Sequence, residues 1–423
     1  DFIIHSINHL LETQFGQSIG NEGVHILDPF TGTGTFVTRL LQSGLISPEQ
    51  LPHKYAHEIH ANELVLLAYY IAAINIEATY HGILGGEYTP FPGICLTDTF
   101  QMYEHDDLIQ DKLAENSKRR MHQRNLKDIR VIMGNPPYSA GQDSANDNNQ
   151  NINYPKLDAR LAETYVAETT ATNKNALYDS YIRAIRWASD RVGECGIIGF
   201  VTNAGFIEAN TADGMRKCLA EEFANIWIFH LRGNQRTQGE LSRKEGGKIF
   251  GSGSRAPIAI TLLVKNPYAK EHGKIYFHDI GDYLTREEKL EKISEFSSIN
   301  GIEKSHGWQK ITPDAYNDWL NQRDDSFYDF IEIGNKKSKD GHVLFLNYSR
   351  GAESGRDAWV YQSSKTKLTE NVKGLLSFYN SSLGTDISDK MDPTKISWTS
   401  SLISSHQKMS KLTFDASCMR KSV

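Results

Sequence analysis

A chain of 423 residues with 39% hydrophobic and 10% aromatic content carries enough apolar material for two or three cored domains, and it has no apolar run of about eighteen residues to span a membrane. Its four cysteines, Cys95, Cys195, Cys218 and Cys418, are scattered, which argues against a zinc site and a disulfide framework and fits a reducing cytoplasm; no metal is expected. A net charge of −6 argues against wholesale electrostatic attachment to a polyanion, but from Lys336 to Lys421 there are 14 Lys and Arg against 8 Asp and Glu, so this part carries +6 and the remainder −12.

The chain starts at Asp1 rather than Met and already in a helical pattern, so it reads as a piece of a longer protein. Phe2, Ile3, Ile7, Leu10 and Leu11 predict a helix over 1–15. Val24–Leu27 reads as a short buried strand, Asp28-Pro29-Phe30-Thr31-Gly32-Thr33-Gly34 as a turn, and 37–45 as a helix. Strand, glycine turn and helix open a doubly wound α/β unit, whose ligands sit at the carboxyl ends of strands. The turn has neither the Gly-Lys-Ser/Thr of a phosphate loop nor a third glycine for a dinucleotide. Asp28 would repel phosphates and suits a cofactor with a cationic amine, such as S-adenosyl-L-methionine. A lone Gly-x-Gly also serves purely structural turns.

The second strand is expected over 54–59, followed by a helix over 62–80. Glu58 then stands at a strand end, where an acid can grip both ribose hydroxyls. Glu63 is the other acid in reach, but this reading puts it inside the helix. Residues 94–100 predict a third strand; Asp98 there can accept from an adenine amino group and Phe100 can cover the ring, although an Asp in that place is equally a helix cap. The charged stretch 101–127 reads as an exposed excursion.

Val131-Ile132-Met133 ends a buried strand, and Gly134-Asn135-Pro136-Pro137-Tyr138 stops it. Both prolines lack an N–H and fix φ, and each holds the residue before it extended. The resulting hook carries one amide, one bare carbonyl and one ring. It suits methylation of an exocyclic amine on an aromatic base, whose lone pair is delocalised into the ring. The Asn135 side-chain oxygen and the Pro136 carbonyl can accept the two amine hydrogens, and Tyr138 can stack on the base. Asn-Pro-x-Tyr also occurs as a docking motif in disordered tails, a setting that 128–133 does not offer.

Residues 139–152 read as a loop over the site, 161–170 and 175–192 as helices, and 196–202 as a buried strand. A helix at 215–222 and a strand at 225–231 precede a basic glycine-rich loop containing Arg232, Arg236, Arg243, Lys244, Lys248 and Arg255, which suits DNA phosphates. Residues 258–265 close the sheet. From about 287 the rhythm changes to short mixed elements rich in aromatics, so a domain of 1–286 and a second of 287–423 are expected.

The order Asp-Pro-Phe-x-Gly-x-Gly, acidic strand end, Asp98, Asn-Pro-Pro-Tyr resembles the amino-group DNA methyltransferases of the gamma arrangement, specific for adenine N6. It looks closest to the methyltransferase and target-recognition part of type ISP restriction–modification enzymes, with further support from residues 145–150, 179–191 and 231–234. The resemblance implies a Rossmann-like S-adenosylmethionine-dependent methyltransferase sheet, a C-terminal mixed α+β target-recognition domain, and double-stranded DNA as partner. It implies Asp28–Gly34 around the methionine end of the cofactor, Glu58 on the ribose, Asp98 and Phe100 at its adenine, and Asn135 and Pro136 on the target amine. A second aromatic on the other face of the target base would be Phe250. Members also carry upstream nuclease and ATPase-translocase parts. The alternatives are the same chemistry on RNA or protein glutamine, and a non-catalytic DNA-recognition subunit.

Overall fold

The computed structural model describes residues 1–104, 114–137, 154–250, 255–323, 326, 329–335, 342–346 and 361–382. Nine strands form one sheet: β1 His25–Asp28, β2 Ile59–Glu63, β3 Ile94–Leu96, β4 Ile129–Gly134, β5 Gly196–Asn203, β6 Asn225–Arg232, β7 Ile258–Lys265, β8 Lys274–Asp279 and β9 Gln309–Ile311. Their order is β3-β2-β1-β4-β5-β7-β6-β8-β9. The strands from β3 to β5 are parallel, and β7 inserts antiparallel between β5 and β6. The order reverses between β1 and β4, where Leu27 pairs with Ile132. A crevice at the carboxyl ends of strands is expected at that reversal.

Eleven helices matter here: α1 Phe2–Phe15, α2 Thr35–Gln42, α3 Leu66–Leu84, α4 Ala114–Asn125, α5 Pro155–Leu161, α6 Ser180–Arg191, α7 Asp213–Glu222, α8 Gly239–Glu245, α9 Arg286–Phe296, α10 Ile299–Lys304 and α11 Lys365–Ser382. Side chains alternate across a strand, so both faces of a parallel sheet need cover. Val131 and Met133 of β4 enter a core with residues of α1, α2, α3 and α10. Ile132 enters the opposite core with α5, α6 and α7.

Several expectations about elements change, among them that 258–265 closes the sheet: β7 lies inside it, and β8 and β9 extend it beyond β6. Residues 54–58 are helical rather than extended, and β2 begins at Ile59. Lys54 is buried there, its ammonium donating to Val24 O at 2.9 Å and pairing with Glu58 at 2.6 Å. The true strand, Ile59-His60-Ala61-Asn62-Glu63, is almost wholly buried between β1 and β3, so it shows no alternation to mark it as a strand.

The first compact unit runs Asp1–Asp324, past the boundary expected at 286; the second is Asp325–Val423. Residues 287–323 belong to the first because β9 pairs with β8 and because Arg216 of α7 reaches them. Arg216 is fully buried, donates to Asn317 O at 2.7 Å, Phe206 O at 2.9 Å and Ala209 O at 2.8 Å, and pairs with buried Asp318. In the second unit the described residues include a bridge between Glu332 and Val343 and helix α11. Among the described residues no helix is long and apolar enough to cross a membrane.

Cutting one partner out of a buried, hydrogen-bonded ion pair strands the other charge, so Arg216→Leu should lower the unfolding free energy by about 3–5 kcal/mol. The midpoint of a urea transition measures this. An unshifted midpoint would mean that Asp318 and its surroundings relax without it.

Candidate active site

The carboxyl ends of β1, β2, β3 and β4 surround a cavity of about 250 Å³. Its wall includes Pro29, Phe30 and Gly32 from the glycine turn, Asn62 and Glu63 from β2, Asp98 and Phe100 after β3, and Asn135 and Pro137 after β4. Tyr154, Ser180 and Arg183 complete it from α5 and α6.

The turn after β1 is held from inside. Asp28 Oδ1 accepts Phe30 N at 3.1 Å, and Thr31 Oγ1 donates to Asp28 O at 3.0 Å. Thr31 N donates to Asn62 O at 2.9 Å, and Pro29 O accepts Thr99 Oγ1 at 2.6 Å. Gly32 has φ of 57°, a left-handed conformation that glycine adopts without strain, and its N–H donates to Glu63 Oε2 at 2.7 Å. Glu63 Oε1 accepts Val65 N at 2.7 Å, so the acid at the end of β2 is clamped by backbone on both oxygens.

Asp28 is buried, and its Oδ2 has no hydrogen-bond partner among the described residues. Burial is the main reason that its carboxyl is pushed up to about 7; the Phe30 N–H pulls it down and the Glu63 charge adds to the rise. A Cβ on Gly134 would lie 2.8 Å from Asp28 Oδ1, so a side chain there would have to displace that carboxyl oxygen from its place against Phe30 N. Asn62, on the wall, has a buried Oδ1 without a partner among the described residues. Asp98 Oδ1 accepts Phe100 N at 2.9 Å, which is cap-like geometry, while its residue lines the cavity beside Phe100. Phe100 stands edge-on to Phe30 at 5.5 Å.

Several expected site residues lie elsewhere. Glu58 is not at a strand end: it closes the helical turn before β2, buried, accepting Gly23 N at 2.6 Å and paired with Lys54. The acid at the cavity is Glu63. Gly34 does not line the wall; it faces Ala72 and Ile76 of α3, which allows α2 and α3 to pack closely. Phe250 is half-buried against the core and does not line this cavity. Arg286 Nε donates to the neighbouring Ile249 O at 3.0 Å, and Lys289 Nζ to Gly247 O at 2.8 Å, which draws that segment toward α9. Arg232 is committed to Asp279 at 2.8 Å and Asp282 at 2.5 Å, whereas Arg236 and Arg255 are exposed. Pro136 is buried within the hook, and Tyr138 lies outside the described residues. Sequence reasoning missed Asn62, Thr99, Tyr154 and Arg183 altogether, because only folding brings them to the crevice.

Residues 343–423 match a family model described as the Type ISP C-terminal specificity domain, and 54–236 match the Eco57I restriction-modification methylase. Among solved structures, the ATP-dependent Type ISP restriction-modification enzyme LlaBIII bound to DNA is 42% identical with a TM-score of 0.87, over 98% of this chain and 28% of that one. A nuclease-deletion mutant of the Type ISP enzyme LlaGI with a DNA substrate mimic is 44% identical, TM-score 0.82, over 96% of this chain and 32% of that one. Over almost its whole length this chain is similar to type ISP restriction–modification enzymes. DrdV in a DNA complex is also similar, at 36% identity and a TM-score of 0.85, over 98% of this chain and 40% of that one. The chain thus spans less than half the length of each of these relatives. No curated protein matches it.

A buried carboxyl with a raised pKa has a pH signature in the ligand-free protein. Unfolded Asp28 titrates near 3.9 and folded Asp28 near 7, so the native state loses stability as pH rises through that window. Asp28→Asn, which does not titrate, should match wild type near pH 4 and melt progressively above it up to about pH 7, with a constant gain beyond. Thermal melts at pH 5 and pH 8 check this; an equal difference at both would place the carboxyl in a polar setting.

Proposed function

We propose that this chain transfers a methyl group from S-adenosyl-L-methionine to the N6 amine of an adenine swung out of double-stranded DNA, as the modification part of a restriction–modification protein. The observation that carries the reading is the meeting of Asn135 and Pro137 with the glycine turn, Glu63, Asp98 and Phe100 around one cavity. The full-length protein would add nuclease and ATP-driven translocase parts and act on DNA in the cytoplasm.

The residues present fit this cofactor. An acid clamped at the end of β2 suits a ribose diol, which makes Glu63 the ribose ligand in place of Glu58. Asp98 offers a carboxylate to the adenine amine and Phe100 a ring against the purine. The unpartnered Asp28 Oδ2 and the acidity of the crevice suit the cationic methionine end, lined by Pro29, Phe30 and Gly32. When bound, the cofactor supplies an electrophilic methyl on a sulfonium.

The chain supplies orientation and fixed dipoles. Asn135 Oδ1 and the Pro136 carbonyl accept the two hydrogens of the target amine, drawing the nitrogen toward tetrahedral geometry so that its lone pair faces the methyl. Pro136 and Pro137 hold these acceptors in place beforehand, so little reorganisation is needed at the reaction. Tyr138 stacks on the extruded base, offsetting part of the few kcal/mol that unstacking costs. Arg236 and Arg255, exposed on the loop beside β6 and β7, contact phosphates; Arg232 instead braces that loop through its two aspartates. Phe250 is the proposed ring on the other face of the target base, away from the cofactor cavity.

Labelled methyl transfer to duplex DNA, followed by base-resolution detection, tests the reading; modification confined to cytosine, RNA or protein would overturn it. Asn135→Ala should cost at least about 100-fold in turnover while the cofactor Kd stays within about twofold. Glu63→Gln should weaken cofactor binding by about tenfold, whereas Glu58→Gln should lower the melting temperature and leave that Kd unchanged. Both are read by calorimetry and thermal melts.

A further inference from the structure

Behind Asp98 stands a set of side chains for which methyl transfer itself has no use. Tyr154 Oη donates to Asp98 Oδ2 at 2.9 Å, while Asp98 Oδ1 accepts Phe100 N at 2.9 Å and Gln101 N at 3.4 Å. The Tyr154 ring lines the cavity and stands edge-on to Phe100, 5.2 Å between centroids and 72° between planes. The Arg183 guanidinium lies 5.6 Å from the Tyr154 centroid and is held by Asp158 through two bonds of 2.7 and 3.0 Å.

The backbone of Tyr154 is fixed as well. Pro155 follows it and keeps it out of the helical region. Glu104, from the segment after β3, accepts the first N–H groups of α5, Lys156 N at 2.8 Å and Leu157 N at 2.9 Å. The segment that bears Asp98 and the helix that bears Tyr154 are therefore tied together at two points.

A carboxylate offers about four lone-pair sites. Among the described residues Phe100, Gln101 and Tyr154 address three of them, which leaves one on Oδ2 for a ligand. Burial raises the Asp98 carboxyl, and the Tyr154 hydroxyl and the two N–H groups pull it back. Burial and the Asp98 charge raise the Tyr154 phenol, so it remains a donor. Among the described residues, the other ionisable groups near the pair are Glu63 on the cavity wall, Glu104 at the first turn of α5, and Arg183 and Asp158 beyond the tyrosine ring.

We propose that Tyr154 is the positioning residue that aims Asp98 Oδ2 as the acceptor for the exocyclic amine of the cofactor's purine, so that the cavity selects a 6-amino nucleoside over its 6-oxo counterpart. This rests on the S-adenosylmethionine reading of the cavity. A 6-oxo purine presents an oxygen where the amine would donate, leaving Asp98 facing another acceptor.

Calorimetric titration with S-adenosylhomocysteine and S-inosylhomocysteine between pH 5 and pH 9, on wild type and Tyr154→Phe, is the test. Wild type should prefer the adenosyl ligand by at least about 100-fold. Tyr154→Phe keeps the ring; it should lose about tenfold for the adenosyl ligand and almost nothing for the inosyl ligand. Its acid limb of binding should move to higher pH, because Asp98 without the hydroxyl takes up a proton more readily. Equal losses for both ligands, or an acid limb that stays put, would reduce Tyr154 to a packing role and overturn the inference. Should wild type bind neither ligand, the cofactor reading itself fails, an outcome distinct from a variant that behaves like wild type.

Discussion

The site depends on how closely two strand ends approach. Asp28 ends β1, Gly134 ends β4, and the carboxyl of the first lies where a side chain on the second would have to go. These strands flank the reversal in sheet order, so the turns that follow them leave toward opposite sides and open a crevice. The glycine turn takes one wall and the Asn135-Pro136-Pro137 turn another. Because the approach excludes water from Asp28, its carboxyl is half-neutral near pH 7 and its Oδ2 is unpartnered. A buried acceptor left in that state favours a cation in the crevice, which is the electrostatic character a sulfonium cofactor requires.

That same acidity creates a problem that the rest of the chain answers. Glu63 and Asp98 on the cavity wall, in a chain of net charge −6, attract a cation and repel a phosphate backbone. A polyanion must be held elsewhere. The loop between β6 and β7 presents Arg236 and Arg255 to solvent, and Arg232 is spent on Asp279 and Asp282 at its base. The basic sequence from Lys336 to Lys421 overlaps the residues that match the Type ISP C-terminal specificity domain.

Buried cations do the mechanical work around this arrangement. Lys54 ties the helical turn before β2 to Val24 and Glu58, Arg216 ties α7 to Asn317 and Asp318, and Lys289 ties α9 to Glu245 and Gly247. Each donates to backbone carbonyls as well as, or instead of, a carboxylate, so each joins segments far apart in sequence. Fully satisfied polar groups of this kind specify one arrangement, since half-satisfied alternatives carry a desolvation cost. Arg216 and β9 also explain why the first compact unit continues past residue 286.

What the sequence by itself determined is the local chemistry: the glycine turn after a short strand, the Asn-Pro-Pro hook after another, and an acid and a phenylalanine after a third. Each depends on a few neighbouring residues whose φ restrictions and hydrogen-bonding groups act within one turn, so the pattern is legible before folding. Tertiary structure alone decided which acid meets the cavity. Glu58 and Glu63 are five residues apart, and a strand buried on both faces carries no periodic mark of where it starts; pairing with β1 and β3 placed Glu63 at its end. The same holds for Tyr154, which reaches Asp98, and for Arg183, which reaches the Tyr154 ring, only through the packing of α5 and α6. Contacts between residues distant in the chain leave no local pattern, because their energy comes from burial and pairing that exist only once the sheet has formed.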